Sequence, residues 1–338
     1  MRWPAEWEPH ERTIMGWPCR ARLWGEHLEA ACADYATVAN AVAAFEPVTM
    51  IANPGADAAG ARSALRGDVE VVELPLDDSW LRDSGPIYVT DTDGRARTAV
   101  HWRFNAWGKK FPPWERDAAV GGAIAAHLGD PVREVDMVLE GGAVLSDGAG
   151  TILTTEQCLL APNRNPTLSR AQIEATVLAE LGGRRMVWLG EGQYEDRDTD
   201  GHVDMIAAIV PDGRVLLQTA PAGDPNHERG EDNLARLSAA GLEAVVLEHL
   251  PRTTVGGEPV AVSYLNFYIA NGAVIVPVCG DAFDPEALAR IGGCFPGREV
   301  VPVPGATIAF GGGGPHCITQ QVPAIVAPDP GAAGPAAD

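Results

Sequence analysis

Apolar residues along this chain fall into two alternating rhythms. Over residues 25–45, GEHLEAACADYATVANAVAAF, they recur at three- and four-residue spacing, which predicts an amphipathic helix. PVTMIANP reads as a short strand ended by a turn, residues 54–66 as a second helix and VEVVELPL as a second strand. The polar stretch DDSWLRDSG then leads into a strand, PIYVTD, turned at Asp93-Gly94. The same succession recurs. EVDMVLEGGAVLSD turns at Gly148 into TILTT, VDMIAAIVPD at Gly213 into RVLLQT, and VSYLNFYIA at Asn271-Gly272 into AVIVPV. Asp-Gly and Asn-Gly between apolar runs are strong hairpin signals. Helical stretches at 115–128, 168–182, 228–240 and 284–292 separate the hairpins.

The turn glycines Gly94, Gly148, Gly213 and Gly272 are spaced by roughly 55 to 65 residues, which fits a repeated unit of strand, polar turn, hairpin and helix. The last unit, REVVPVPGATIAFGGGGPHCITQQ, lacks a closing hairpin, and RTIMGWP near the chain start can supply the missing strand. Four repeats and a fifth split between the chain ends predict an α/β ring of about five units, since closure removes exposed strand edges. A doubly wound α/β sheet competes with it, but needs mostly single parallel strands rather than hairpins. The expected organisation is one domain over 1–326, with APDPGAAGPAAD at 327–338 a disordered Pro/Ala/Gly tail.

Charge changes the picture more than composition does. The 338 residues hold 46 acidic and 25 basic side chains, a net charge of −21. Such a surface repels phosphates, so no nucleic-acid partner is expected, and it favours small cations near a cleft. No apolar run reaches the roughly 18 residues that a membrane span needs, so no membrane partner is expected. MRWPAEWEPHERT lacks the apolar stretch of a signal peptide, which points to a cytoplasmic location. There Cys19, Cys32, Cys158, Cys279, Cys294 and Cys317 are expected as free thiols, and the lack of a CxxC pair speaks against structural zinc.

The polar residues that stand out occupy the same point of successive repeats: Asp83 in SWLRDSGP, Glu140 in VLEGGAV, His202 and Asp204 in DTDGHVDM, and Cys317 in GGGGPHC. In a ring, equivalent points converge on the axis. Cys317, on a glycine-rich loop beside His316, reads either as a nucleophilic thiol or as a small buried residue. His202 reads as a general acid/base or as a turn histidine, and Asp83 and Glu140 as pocket carboxylates or turn residues. His-X-Asp hints at metal, yet no third and fourth ligand follow at recognisable spacing. A thiol, a histidine and three carboxylates suit a guanidinium. That group is planar, permanently cationic, rich in donors, and a poor electrophile that a thiolate can attack.

Around these residues the sequence resembles the agmatine deiminase/peptidylarginine deiminase-like family of the guanidine-modifying superfamily. The resemblance runs from PAEWEPHERTIMGWP through DDSWLRDSGPIYV, WRFNAWGKKFPPWERD, VLEGGAVLSDGAGTILTTEQCLL, NRNP, DTDGHVDM and SYLNFYIANGAVIVP to GGGGPHCITQQ. It implies a pentein-type five-bladed α/β propeller, no metal or organic cofactor, and hydrolysis of a small cationic guanidino substrate to a ureido product and ammonia. By matched motif, Cys317 is the implied nucleophile. Asp83 and Asp204 hold the guanidinium nitrogens, Glu140 binds and shuttles protons, and His202 protonates the departing ammonia and activates water. Trp80 matches the ring that packs on the substrate, and Asp198 an acid near its far end, with plain core and an exposed turn acid as the ordinary alternatives. The chain departs from the family pattern at GGGGPHC, at NAWGKK, where Lys109 replaces a glycine, and at Met205. Agmatine is the expected substrate. Peptidylarginine, arginine or a simpler guanidine, an amidino transfer, and a non-catalytic ring-shaped binding protein are the alternatives. A homodimer is expected.

Overall fold

The repeats marked by turn glycines form separate small sheets. In the computed structural model, which describes residues 1–326, Ile87–Thr90, Arg97–Arg103 and Val132–Val138 make one sheet, and Val144–Ser146, Thr151–Thr155 and Arg185–Leu189 the next. Ala207–Ile209, Val215–Gln218 and Ala244–Leu247 make the third, and Tyr268–Ala270, Ala273–Val278 and Glu299–Pro304 the fourth. In each, the first two strands are antiparallel and the last two parallel. The hairpins turn where expected, with φ of 67° at Gly94, 70° at Gly148, 88° at Gly213 and 84° at Gly272, a backbone region where glycine carries no side-chain penalty. The split unit also forms. Thr319–Pro323 pairs antiparallel with His10–Gly16, which runs parallel to Val48–Ala52, itself parallel to Glu70–Glu73.

Parallel neighbours need a long crossover, and a helix supplies it in every unit, with a second, Ala56–Ala64, between Val48–Ala52 and Glu70–Glu73 of the split unit. Leu28–Val42, Glu115–Leu128, Arg170–Leu181, His227–Ala239 and Asp284–Cys294 each lead into the parallel third strand. The first buries Ala31, Tyr35, Val38, Ala39 and Val42, the expected helical spacing. Arg170–Leu181 starts at a reciprocal Ser169/Gln172 cap and ends at Gly182 in the left-handed region.

Two details depart from the sequence reading. EVDMVLEGGAVLSD is not one hairpin limb. It breaks at Glu140, so that Val132–Val138 closes one sheet and Val144–Ser146 opens the next, with Gly141–Ala143 as a short 3-10 turn between them. An additional hairpin, Arg252–Val255 with Glu258–Ala261, turns on Gly256-Gly257. The tail at 327–338 lies outside the described residues. Among the described residues no helix is long and apolar enough to cross a membrane.

The connections from one sheet to the next carry the polar residues singled out above. Trp80 and Asp83 precede Ile87, Glu140 precedes Val144, Asp198, His202 and Asp204 precede Ala207, and Cys317 precedes Thr319.

Candidate active site

Short turns that the strands on either side hold in place bring these connections together. Asp83 lies in the single helical turn Leu81–Ser84, with its carboxylate held by two donors: the Trp107 indole N–H at 2.9 Å and the Gly142 amide at 2.9 Å. His202 is anchored through its backbone amide to Thr199 Oγ1 at 3.1 Å and Asp196 Oδ2 at 3.2 Å. Its ring Nδ1 is 3.7 Å from Asp83 Oδ1 and 4.0 Å from Asp204 Oδ1, and Nε2 is 3.9 Å from Glu140 Oε2. Cys317 Sγ lies 3.5 Å from Asp204 Oδ2. All five residues first marked in the sequence are therefore in one cluster.

Glycine makes the cluster possible at two points. A Cβ on Gly142 would stand 2.7 Å from His202 Nδ1 and 2.9 Å from both Asp204 Oδ2 and Asp83 Oδ1. One on Gly313 would meet the Trp80 ring at 2.7 Å and Cys317 Sγ at 2.9 Å.

The cluster is buried and leaves polar atoms without a protein partner. Glu140 and His202 are fully buried, and Asp83, Asp204 and Cys317 nearly so. Glu140 Oε2, Asp204 Oδ1 and both His202 ring nitrogens are buried without a hydrogen-bond partner. Buried polar groups are normally paired, so a set of orphans facing one another marks a place for a polar ligand. Trp80, Asp83, Asp198 and Cys317 line a pocket leading to it, joined by Trp107 and Phe111. Asp78 lines the same pocket and pairs with Arg20 at 2.6 Å. Trp80 is backed by Trp24, whose ring stacks at 6.0 Å.

Charge states follow from this crowding. Burial pushes the Cys317 thiol well above its ordinary range, and Asp204 and Asp83 push it further. Burial works against a charge on His202, yet Asp83 and Glu140 more than offset it and hold the imidazolium to well above its usual pH. Burial and the neighbouring carboxylates raise Asp83 although His202 opposes them. Burial would raise Glu140 too, but Arg164 and His202 bring it below the usual value.

Arg164, in the NRNP segment, was quoted above for the family resemblance alone. Its side chain is wholly buried, and Nε donates to Glu140 Oε1 at 2.6 Å, Nη1 to Asp200 Oδ2 at 2.7 Å and Nη2 to the Thr199 carbonyl at 2.7 Å. It thus ties Glu140 to the turn that presents His202. Asn266 is a second residue that the sequence reading missed. It accepts the Cys317 amide at 3.3 Å and donates to the Asp204 carbonyl at 3.2 Å. Neither could be found from spacing, because each acts on residues far along the chain. Lys109 does not line the Cys317 pocket, whereas Lys110 donates to Asp200 at 2.7 Å and to the Arg197 and Asp198 carbonyls.

Among the described residues, Glu140, Cys158 and His202 form one group whose donor atoms lie within 4.8 Å of one another. Burial raises the Cys158 thiol, and Arg164 already supplies the positive charge that Glu140 needs, so the donor set fits a bare metal ion poorly.

Fold and site together define a mixed α/β protein with a buried thiol–imidazole–carboxylate centre. The model of Porphyromonas-type peptidyl-arginine deiminase matches residues 2–323. An agmatine deiminase of Pseudomonas aeruginosa is 43% identical, with 96% of this chain and 95% of that protein covered. The solved agmatine deiminase of Enterococcus faecalis superposes with a TM-score of 0.90 at 32% identity, over 95% of each chain. A substrate-bound C. jejuni agmatine deiminase gives 0.90 at 25% identity, covering 96% of this chain and 97% of its own. The chain belongs to the agmatine deiminase/peptidyl-arginine deiminase family.

Proposed function

We propose that this protein hydrolyses the guanidinium group of agmatine to N-carbamoylputrescine and ammonia, with Cys317 as nucleophile. The observation that carries the proposal is the set of partnerless buried atoms on Glu140, Asp204 and His202 beside that thiol. A guanidinium offers five N–H donors in one plane and satisfies carboxylate oxygens edge-on. Its positive charge also offsets Asp83 and Asp204, the carboxylates that hold the free thiol protonated.

The bond changes balance as follows. The Cys317 thiol gives up its proton once the cation is bound, and the thiolate adds to the guanidinium carbon. His202, as imidazolium, protonates one nitrogen, which leaves as ammonia with cleavage of its C–N bond and leaves a thiouronium on Cys317. Neutral His202 then takes a proton from water as its oxygen adds to that carbon. The C–S bond breaks, the ureido product leaves, the thiol is restored, and the first proton ends on ammonia. Asp83 and Asp204 orient the guanidinium, and Glu140 accepts and returns protons.

The tail preference follows from the pocket. Asp78, Asp83 and Asp198 line it, and among its described lining residues none is Lys or Arg. An α-carboxylate such as arginine carries would have no cationic partner there, whereas an alkyl chain ending in an ammonium would meet Trp80 and Asp198. Burial raises Asp198, so a bound ammonium would draw it back to the ionised form.

The same proposal takes the five sheets as blades of a ring within one cytoplasmic catalytic domain over 1–326. Support comes from their shared connectivity and from the pairing of His10–Gly16 with Thr319–Pro323.

Incubation with agmatine, arginine and a blocked peptidylarginine, with assay of ureido product and ammonia, tests the reading. Agmatine turnover that drops by about 10⁴-fold or more in Cys317→Ser supports it. Turnover of another guanidine alone overturns the substrate, and ureido formation that survives Cys317→Ser overturns the mechanism.

A further inference from the structure

His316, which precedes the thiol in the chain, is held at both ends of its ring by carboxylates. Nδ1 lies 2.8 Å from Asp204 Oδ2, and Nε2 lies 2.8 Å from Glu6 Oε1. The residue is 3% exposed. An ionised carboxylate can only accept hydrogen bonds, so both ring nitrogens must carry hydrogen, and the ring is an imidazolium.

We propose that His316 is a positioning residue for guanidine hydrolysis, a buried permanent cation that keeps Asp204 ionised and turned so that Oδ1 faces the substrate. This rests on the functional reading above. Asp204 Oδ2 is occupied twice, by the His316 Nδ1–H and by the Cys317 thiol at 3.5 Å, while Oδ1 is left buried and free. The imidazolium therefore fixes which oxygen meets the guanidinium and which meets the nucleophile.

The need for such a cation comes from the crowd of acids. Asp83, Asp204 and Glu140 all lie within 4.0 Å of His202. Carboxylates that share a buried site compete for protons, and one of them would otherwise stay neutral. Arg164 settles the matter for Glu140 from one side, and His316 does so for Asp204 from the other.

The groups facing His316 form a balanced quartet. From the N-terminal segment comes Glu6, with His10 beyond it. The turn Leu81–Ser84 contributes Arg82, whose Nε donates to the His316 carbonyl at 3.2 Å and whose Nη1 reaches Glu6 at 3.4 Å and Gln321 at 2.8 Å. The turn Val203–Met205 contributes Asp204, with His202 just before it, and Asp83 and the Cys317 thiol complete the surroundings. Within the quartet itself two cations, Arg82 and His316, thus face two anions, Glu6 and Asp204. Burial and Arg82 oppose the charge on His316, but the two carboxylates prevail and hold it protonated above its usual range. Burial would raise Glu6, yet His316 and Arg82 hold it down at about 2. Burial would likewise raise Asp204, but His316 and His202 keep it below the usual value. Asp204 and His316 also line a second cavity, which Cys317 does not line, and Glu6 stands at that cavity too.

The first test reads the charge directly. In ¹⁵N-histidine-labelled Cys317→Ser protein, with His316→Asn for assignment, both His316 ring nitrogens are expected to stay protonated from pH 6 to about 9. A neutral tautomer at pH 7.5 would overturn the proposal. The second test reads the consequence. His316→Asn keeps an N–H toward Asp204 but removes the charge. It is expected to lower kcat/KM for agmatine by about 10²-fold at pH 7. It is also expected to move the acid limb of kcat/KM, and of agmatine affinity in a Cys317→Ser background, alkaline by about one pH unit or more. A merely structural role would lower activity and leave that limb in place, which overturns the proposal. If His316→Asn does not fold, Glu6→Gln carries the test. It keeps the hydrogen bond and should add an alkaline limb where NMR shows His316 losing its proton. An unchanged profile would sink the idea. Wild-type protein inactive on every guanidine would instead refute the functional reading, while the NMR measurement would still decide the charge of His316.

Discussion

Trp107 donates its indole N–H to Asp83 Oδ2 across 2.9 Å from a backbone that turns left-handed. Ala106, Trp107, Gly108 and Lys109 all have positive φ, between 53° and 86°. The strained turn aims the indole at a carboxylate of the site, a place where such strain commonly collects. Three of the four residues are not glycine, and each costs about 1–2 kcal/mol in that region.

Lys109→Gly should therefore stabilise the protein. Relief of strain exceeds the added freedom of the unfolded chain, for a net gain of about 0.5–1 kcal/mol. Denaturant midpoints check this. Turnover should stay within about twofold, because Lys109 does not line the Cys317 pocket. Lys109→Val should lose stability, since a β-branched residue tolerates the conformation poorly.

The Arg164–Glu140 pair predicts an asymmetric result. Arg164→Ala strands a buried carboxylate, at a cost of about 3–5 kcal/mol in stability, and lets the Asp200–His202 turn drift. Arg164→Lys restores one charge but not the three-way fork. Thermal melting should recover partly in the lysine variant while kcat stays depressed by about 10²-fold. Equal recovery of both would make Arg164 a stability element only.

Thiol reactivity should depend steeply on pH. Burial, with Asp204 and Asp83, holds Cys317 well above its ordinary range, so the free protein should react slowly with iodoacetamide at pH 7. The rate should rise about tenfold per pH unit through pH 9, following the thiolate fraction. A bound guanidinium too small to block the pocket should accelerate alkylation at pH 7. A rate flat from pH 6 to 9 would mean that the thiolate already exists without substrate.

Asp117 gives a prediction about stability. Its Oδ1 accepts the amides of Asp77 at 2.8 Å and Asp78 at 3.0 Å, steadying the connection that carries Trp80 and Asp83. Burial raises this carboxyl to about 7 from an ordinary 3.8, although those two amides oppose the rise. Between these pH values the unfolded chain has released the proton that the folded one keeps, so stability falls as pH rises to about 7. Asp117→Asn keeps the acceptor and cannot titrate. Its melting temperature should gain on the wild type across that window, by the equivalent of about 2–4 kcal/mol at pH 8. A constant difference from pH 4 to 8 would refute the assignment.

Much of this architecture can be read along the chain because glycine turns announce it. Gly94, Gly148, Gly213 and Gly272 mark real hairpins, and RTIMGWP does pair with the last strand. Glu70–Glu73 was legible in VEVVELPL, but the parallel strand Ala244–Leu247 was not, because its pattern is weak and it buries only Leu247. The split at Glu140 was hidden by the continuous apolar run around it. Residues at equivalent repeat points led to Asp83, Glu140, His202, Asp204 and Cys317. Arg164 and Asn266 act through contacts to residues 24 and 51 positions away, which no local pattern encodes.

Among the described residues, the sheet that seats Cys317 beside its closing strand is the one made from both ends of the chain. The four three-stranded sheets are each contiguous in sequence. During synthesis those four can pair as their residues emerge, while His10–Gly16 waits for Thr319–Pro323. The connection that carries Cys317 is thus anchored last. A chain not yet carrying residues 319–323 can therefore have its other sheets paired while the connection that bears Cys317 still lacks the strand that anchors it.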